Sequence, residues 1–164
     1  MSLNKDDFKN LVWDLLFTYR QFLLNGNLHK EIDSGTYNSN PSTWNTLLLS
    51  LESGVVLGLA KLLENKYFGK TFNNQDIDVI AEKIKNIRDK FIAHNDLSKM
   101  RNRSFFIEEN QLNGSDIINM IDALKNRAIQ YEKIYQTDVG VQQLFNQTTN
   151  NAMSDIKVWL EYFK

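Results

Sequence analysis

Apolar side chains recur along this chain at intervals of three and four, the period of one face of an α-helix. In the first segment Phe8, Leu11, Val12, Leu15, Tyr19, Phe22 and Leu23 share a face. This predicts a helix from about Asp6 to Leu24, with Asn4 as its cap and Asp6 and Asp7 in the positive first turn. Asn25-Gly26-Asn27 reads as its stop, followed by a polar connection from His29 to Asn40. Asn40-Pro41 then reads as cap and first position of a second helix, running to about Asn65. Trp44, Leu47, Leu48, Leu51, Val55, Leu59 and Leu62 form its stripe, and Val56, Leu57 and Ala60 spread apolarity around the cylinder, which suits a central helix. Ser50, Gly54 and Gly58 stack on one face of it and invite another backbone, either within the chain or from a second subunit.

A third helix is predicted to start after Asn73-Asn74, with Ile77, Ile80, Ile84, Ile87 and Phe91 as its stripe and Asn95-Asp96 as its exit. Residues 97–113 are less regular, with Ser104 to Ile107 as a short extended piece. A fourth helix follows a Ser115 cap and places Ile117, Ile121, Leu124, Ala128, Tyr131 and Tyr135 inward. Thr137-Asp138 caps a fifth, with Val141, Leu144, Phe145, Ala152, Ile156, Trp159, Leu160 and Phe163 inward and a break foreseen at Asn150-Asn151. No internal repeat interrupts this pattern. The expected fold is all-α: one domain over residues 1–164, a bundle of four to five helices.

Composition narrows the chemistry. One proline and seven glycines argue against a turn-rich β-sandwich, and no cysteine is present, which removes disulfides, thiol catalysis and cysteine-bound zinc. Walker, dinucleotide-binding and nucleophile-elbow motifs are all missing. The apolar run from Trp44 to Leu63 contains Glu52 and Lys61 and reads as a core helix, not a membrane span. With no signal-like N-terminal segment, a cytoplasmic location is the default expectation. The net charge of −1 conceals an asymmetry: residues 83–103 carry seven basic and two acidic side chains, whereas the rest of the chain is net negative.

That basic segment contains Arg88-Asp89-Lys90-Phe91-Ile92-Ala93-His94, which unites one of five arginines with one of two histidines. Arginine holds its charge and grips phosphate through a planar fork, and histidine exchanges a proton near neutral pH. RNA carries its own nucleophile in the 2′-hydroxyl, so such a pair suffices for cleavage without a metal. His94 would remove or return the proton and Arg88 would stabilise charge on the phosphoryl oxygens. Asp89 would orient the Arg or His side chains across a subunit interface. Lys90, Asn95, Lys99, Arg101 and Arg103 would hold the RNA backbone. At 100° per residue, Arg88 and His94 lie on opposite edges of the apolar stripe, about 120° apart in azimuth and about 9 Å apart along the axis. One straight helix does not readily bring both to one phosphate, whereas two copies about a two-fold axis could, as could a local distortion of the helix end by Asn95-Asp96. A structural alternative stays open: His94 ends the core stripe and donates to a carbonyl, while Arg88 pairs with an acid.

The string Ile87-Arg88-Asp89-Lys90-Phe91-Ile92-Ala93-His94-Asn95-Asp96 at a helix end, together with Trp44 to Glu52 as the preceding core helix, resembles the HEPN superfamily and its AbiU2-like branch, linked to bacterial abortive-infection and toxin–antitoxin systems. The family hallmark is Arg, four to six residues, then His, often with a polar residue after the Arg; Arg88, Asp89 and His94 match it. The resemblance implies a HEPN-like helical bundle and a homodimeric, cofactor-free endoribonuclease that leaves cyclic 2′,3′-phosphate and 5′-hydroxyl ends. It also implies an antitoxin or nucleotidyltransferase partner and no membrane role. Some relatives serve as non-catalytic RNA-binding or protein-interaction modules, which is the alternative reading.

Overall fold

A computed structural model describes residues 3–33, 41–93, 112–135 and 138–162. Five helices account for most of them: α1 (Lys5–Asp33), α2 (Pro41–Glu64), α3 (Gln75–Ala93), α4 (Gly114–Tyr135) and α5 (Val141–Tyr162). No strand occurs among the described residues. The all-α bundle expected from the apolar period is the fold observed.

The periodic stripes become one main core. Phe8, Val12 and Leu15 from α1, Leu59 and Leu62 from α2, Ile84 and Ile87 from α3, and Met120, Ile121 and Leu124 from α4 are all fully buried there. Each such side chain contributes roughly 1.5–3 kcal/mol by leaving water. By length and composition Ser42–Glu64 would be able to cross a membrane, but Val55, Val56, Leu59, Leu62 and Leu63 on it are buried in this core.

A second cluster corrects the first helix boundary. The expected stop at Asn25-Gly26-Asn27 does not occur, and α1 continues to Asp33 through residues expected to form a polar connection. Leu24 and Leu28, one turn apart, are buried against Trp44, Leu48 and Leu51 of α2 and Ala152 and Ile156 of α5. The Asn25 side-chain amide donates to the Leu48 carbonyl at 3.1 Å. Burial on both sides of the Asn-Gly-Asn sequence outweighs its low helix propensity, a cost of roughly 1 kcal/mol for the glycine.

Two other boundaries move for local reasons. Asn113, not Ser115, caps α4: its side-chain oxygen accepts from the Asp116 amide at 3.0 Å, and the Asp116 carboxylate accepts from the Asn113 amide at 3.1 Å. This reciprocal pair is a capping box. At the start of α5, Gly140 has φ +70° and its amide donates to the Glu132 carboxylate at 2.5 Å. The expected break at Asn150-Asn151 is not seen, and α5 is continuous because Ala152 and Ile156 seat its second half in the core. The expected extended piece at Ser104 to Ile107 lies outside the described residues.

The small-residue face of α2 is consumed within the chain. Gly58 lies against Thr18 of α1, and Gly54 against the amide end of Gln21. Thr18 is buried, β-branched and tied by its hydroxyl to the Asp14 carbonyl at 2.8 Å, so it has little room to move. Tyr19 of α1 reaches Thr149 of α5 at 3.0 Å, and Arg20 pairs with Asp155. The helix α1 is therefore clamped between α2 and α5.

Gly58→Ala is expected to lower stability by about 1–3 kcal/mol, because a methyl group would overlap Thr18. Gly54→Ala should change it by under about 1 kcal/mol, since the flexible end of Gln21 can withdraw and alanine favours the helix. Urea-unfolding midpoints check this, and equal losses at both positions would contradict the close-packing account.

Candidate functional site

The site is built on α3 by way of the connection that precedes it. Residues 65–74 leave the end of α2 and return the chain as α3. Asn65 organises the first part, its side-chain oxygen accepting from the Tyr67 and Phe68 amides at 2.9 and 3.3 Å. Gly69 donates to the Asn65 carbonyl at 2.7 Å, and a Cβ at Gly69 would overlap the Leu63 backbone. Asn73 adopts φ 56°, a conformation that asparagine tolerates better than most residues. Asn74 caps α3 by accepting from the Asp76 and Ile77 amides at 3.1 and 3.4 Å, and Asp78 accepts from the Phe72 amide at 2.9 Å.

From α4, Arg127 fixes this connection in place. Its guanidinium donates to the carbonyls of Phe68, Lys70 (2.6 Å) and Thr71 (3.1 Å) and lies 3.7 Å from the centroid of the Phe72 ring. Burial pushes its pKa down, opposed by Tyr131 and Asp78 nearby, and the group stays charged. One turn further on, the Tyr131 hydroxyl donates to the Tyr67 carbonyl at 3.0 Å. This loop therefore has its backbone acceptors satisfied by two α4 side chains.

The offset so produced carries Arg88 past the C-terminal end of α2. As the helical angles predict, Arg88 lies at the edge of the buried stripe of Ile80, Ile84 and Ile87, and its side chain is only 19% exposed. Its guanidinium pairs with Glu64, the last residue of α2, and with Asp89 at 2.7 Å. Its Nε is buried without a hydrogen-bond partner. One cation thus faces two carboxylates, both more than half exposed. Asp89 acts here on Arg88 of its own chain, whereas the role expected of it was across a subunit interface.

The helix is unbroken from Gln75 to Ala93. Lys90 lies on its last turns. His94, Asn95, Lys99, Arg101 and Arg103 lie outside the described residues, so the structure brings together Arg88 and Asp89 of the expected site and adds Glu64. The sequence offered no signal for Glu64, which is 24 positions from Arg88 and was assigned only to the end of a helix. Arg127 likewise has no sequence signal, because it lies off the apolar stripe of α4 and its acceptors are backbone carbonyls of another segment. Among the described residues no cluster of metal-ligating side chains is present.

A family model described as AbiU2, of the HEPN type, matches residues 68–153. The match begins within the α2–α3 connection, includes Arg88 through His94 and extends into α5. The chain belongs to the AbiU2 family of HEPN domains. The family segment thus contains the Arg127 pin and Arg88, while Glu64 and the α1–α2 pair precede it. No curated protein and no solved structure matches this chain significantly.

The two arginines should behave differently when neutralised at similar volume. Arg127→Met would leave the carbonyl of the buried Phe68 and two exposed loop carbonyls without their charged donor and is expected to cost about 1–3 kcal/mol. Arg88→Met should alter stability by under about 1 kcal/mol, since its acidic partners are solvated and its own Nε is unpaired. Thermal melts of both variants test this; a large loss at Arg88 would mark it as a structural ion pair.

Proposed function

We propose that this HEPN domain is a metal-independent endoribonuclease that acts as a homodimer, in the abortive-infection or toxin setting of its family. The observation that carries the reading is Arg88: a mostly buried guanidinium, held at the edge of the core stripe on the helix that the family model matches, and followed after five residues by His94. Arginine in that position is costly to hold for packing alone, because its Nε lacks a partner. It is suited to receive a phosphate.

In this mechanism His94 takes the proton of the RNA 2′-hydroxyl or delivers one to the departing 5′-oxygen. The 2′-oxygen attacks the adjacent phosphorus, the bond to the 5′-oxygen breaks, and a cyclic 2′,3′-phosphate and a 5′-hydroxyl result. Arg88 stabilises negative charge on the non-bridging oxygens as it builds. Asp89 holds the guanidinium in register. The basic side chains of residues 90–103 bind the RNA backbone and make affinity fall with salt. Since α3 runs regularly through Ala93, the expected angular separation of Arg88 and His94 favours a site assembled from two copies of the motif.

A second reading is a non-catalytic module that binds RNA or a protein partner, such as an antitoxin or nucleotidyltransferase. The pairing of Arg88 with Glu64 favours it, since that is also how a structural arginine is held.

The protein incubated with single-stranded RNA in EDTA is expected to yield cyclic-phosphate ends. His94→Ala should reduce the rate by about 10²–10⁴-fold. Mixed and refolded Arg88→Ala and His94→Ala chains should regain cleavage well above either variant alone, because a heterodimer reunites an intact arginine with an intact histidine. An inactive parent, or equal cleavage by His94→Ala, would sink the ribonuclease reading; failure of the mixture alone would sink the shared site.

A further inference from the structure

We propose that Glu64 is a displaceable counter-anion: it holds Arg88 ready in the resting chain and competes with RNA phosphate for the same guanidinium. The proposal rests on the reading above that Arg88 receives phosphate, and it adds a positioning residue that lies outside the segment matched to the family.

Three features point to this role. First, the guanidinium is shared by two carboxylates, with Glu64 on one terminal nitrogen and Asp89 on the other, so both forks of its hydrogen-bonding face are in use. An approaching phosphate meets a cluster with one more negative than positive charge and has to take the place of an existing acceptor.

Second, the two carboxylates are not equally easy to remove. Asp89 adjoins Arg88 on the same helix and stays beside it whatever the ligand. Glu64 arrives from another helix, and its side chain is 51% exposed, so it can swing into water without leaving a charge buried. Its position also disfavours a carboxylate. Glu64 is the last residue of α2, where unpaired carbonyls concentrate negative potential. The lysine in that last turn, Lys61, is engaged with Asp14 of α1 at 2.8 Å. Arg88 is the cation that offsets the cost at Glu64.

Third, the Arg88 Nε is buried and has no acceptor. Two carboxylates that grip only the terminal nitrogens leave the side edge of the guanidinium unused. A phosphate that displaces Glu64 takes over the terminal nitrogen it vacates, and it gains Nε as well once the packing over that atom opens. The resting arrangement therefore satisfies the charge of Arg88 without completing its hydrogen bonds.

The magnitude follows from screened electrostatics. A unit charge about 4 Å from a phosphate in a water-like surrounding is worth on the order of 1 kcal/mol, close to a fivefold change in affinity. Glu64→Gln keeps an acceptor oxygen for Arg88 and removes the competing charge. It is therefore expected to tighten RNA binding by roughly three- to tenfold at low salt, with the gain shrinking as salt rises. Glu64→Ser, a small polar residue at the same half-exposed helix end, is expected to change affinity in the same direction.

The test measures the affinity of a 2′-O-methyl oligoribonucleotide, which lacks the nucleophile, for the parent, Glu64→Gln, Glu64→Ser, Arg88→Ala and the Arg88→Ala/Glu64→Gln double variant. The proposal predicts tighter binding by the two Glu64 variants and no such gain in the Arg88→Ala background, since Glu64 acts through Arg88. Unchanged or weaker binding by Glu64→Gln overturns it. So does an equal gain with and without Arg88, which would make Glu64 one surface charge among many. If Arg88→Ala binds as the parent does, the phosphate-receiving role of Arg88 fails and takes this proposal with it. If Arg88→Ala weakens binding and Glu64→Gln does not tighten it, only the role of Glu64 falls.

Discussion

The site depends on one guanidinium that does not belong to it. Arg127 of α4 satisfies three carbonyls of the 65–74 connection and stacks on Phe72, while Tyr131 satisfies a fourth. A loop of ten residues has no helical ladder to absorb its own backbone acceptors, and the carbonyl of the buried Phe68 would be costly to leave without a donor. Charge-assisted donation from a fixed helix makes the loop as defined as the elements it joins. The path of that loop sets where α3 begins, and hence which residue of α3 passes the end of α2. Arg88 meets Glu64 because the connection is held open by this amount.

The two arginines illustrate opposite uses of the same side chain. Arg127 is matched by carbonyl acceptors and an aromatic face, and nothing about it calls for a further ligand. Arg88 is more than offset in charge but incomplete in geometry: two carboxylates surround it and its Nε has no acceptor. Local mismatch of this kind is expected where a surface is shaped for something that arrives later, and the surrounding core supplies the stability that tolerates it. Here that core is close at hand, since Ile84 and Ile87 flank Arg88 and are fully buried.

Much of this was legible from the chain. The apolar period located the five helices of the described residues, and the stripe assigned to α1 omitted Trp13 and Phe17, which are indeed 60% and 64% exposed. The angular position of Arg88 followed from counting along α3. What the sequence concealed came from tertiary contacts. Asn25-Gly26-Asn27 carries every local mark of a stop, yet the helix continues because Leu24 and Leu28 find a second cluster formed by α2 and α5. Glu64 has no periodicity and no motif around it; its partner lies 24 positions away, across a loop whose path is set by α4. Pairwise electrostatics between elements leaves no periodic trace, so a reading built on periods finds the helices and the edge residues but not the ion pairs that tie them.

The glycines of α2 sharpen what a functional assembly would have to look like. Gly54 and Gly58 suit a close contact within the chain or between subunits, and they are taken by Gln21 and Thr18 of α1. A second copy cannot use that face without opening the α1–α2 pair. Arg88 lies on the other boundary of α2, where Glu64 and Asp89 are more than half exposed. Any pairing of motifs in a dimer must then form around the outer edge of α3, with charged groups near the contact. An interface of that kind owes its register to electrostatic complementarity more than to buried apolar area. Two such clusters, each with one more negative than positive charge, would repel if brought together there unless basic side chains of the second copy offset them.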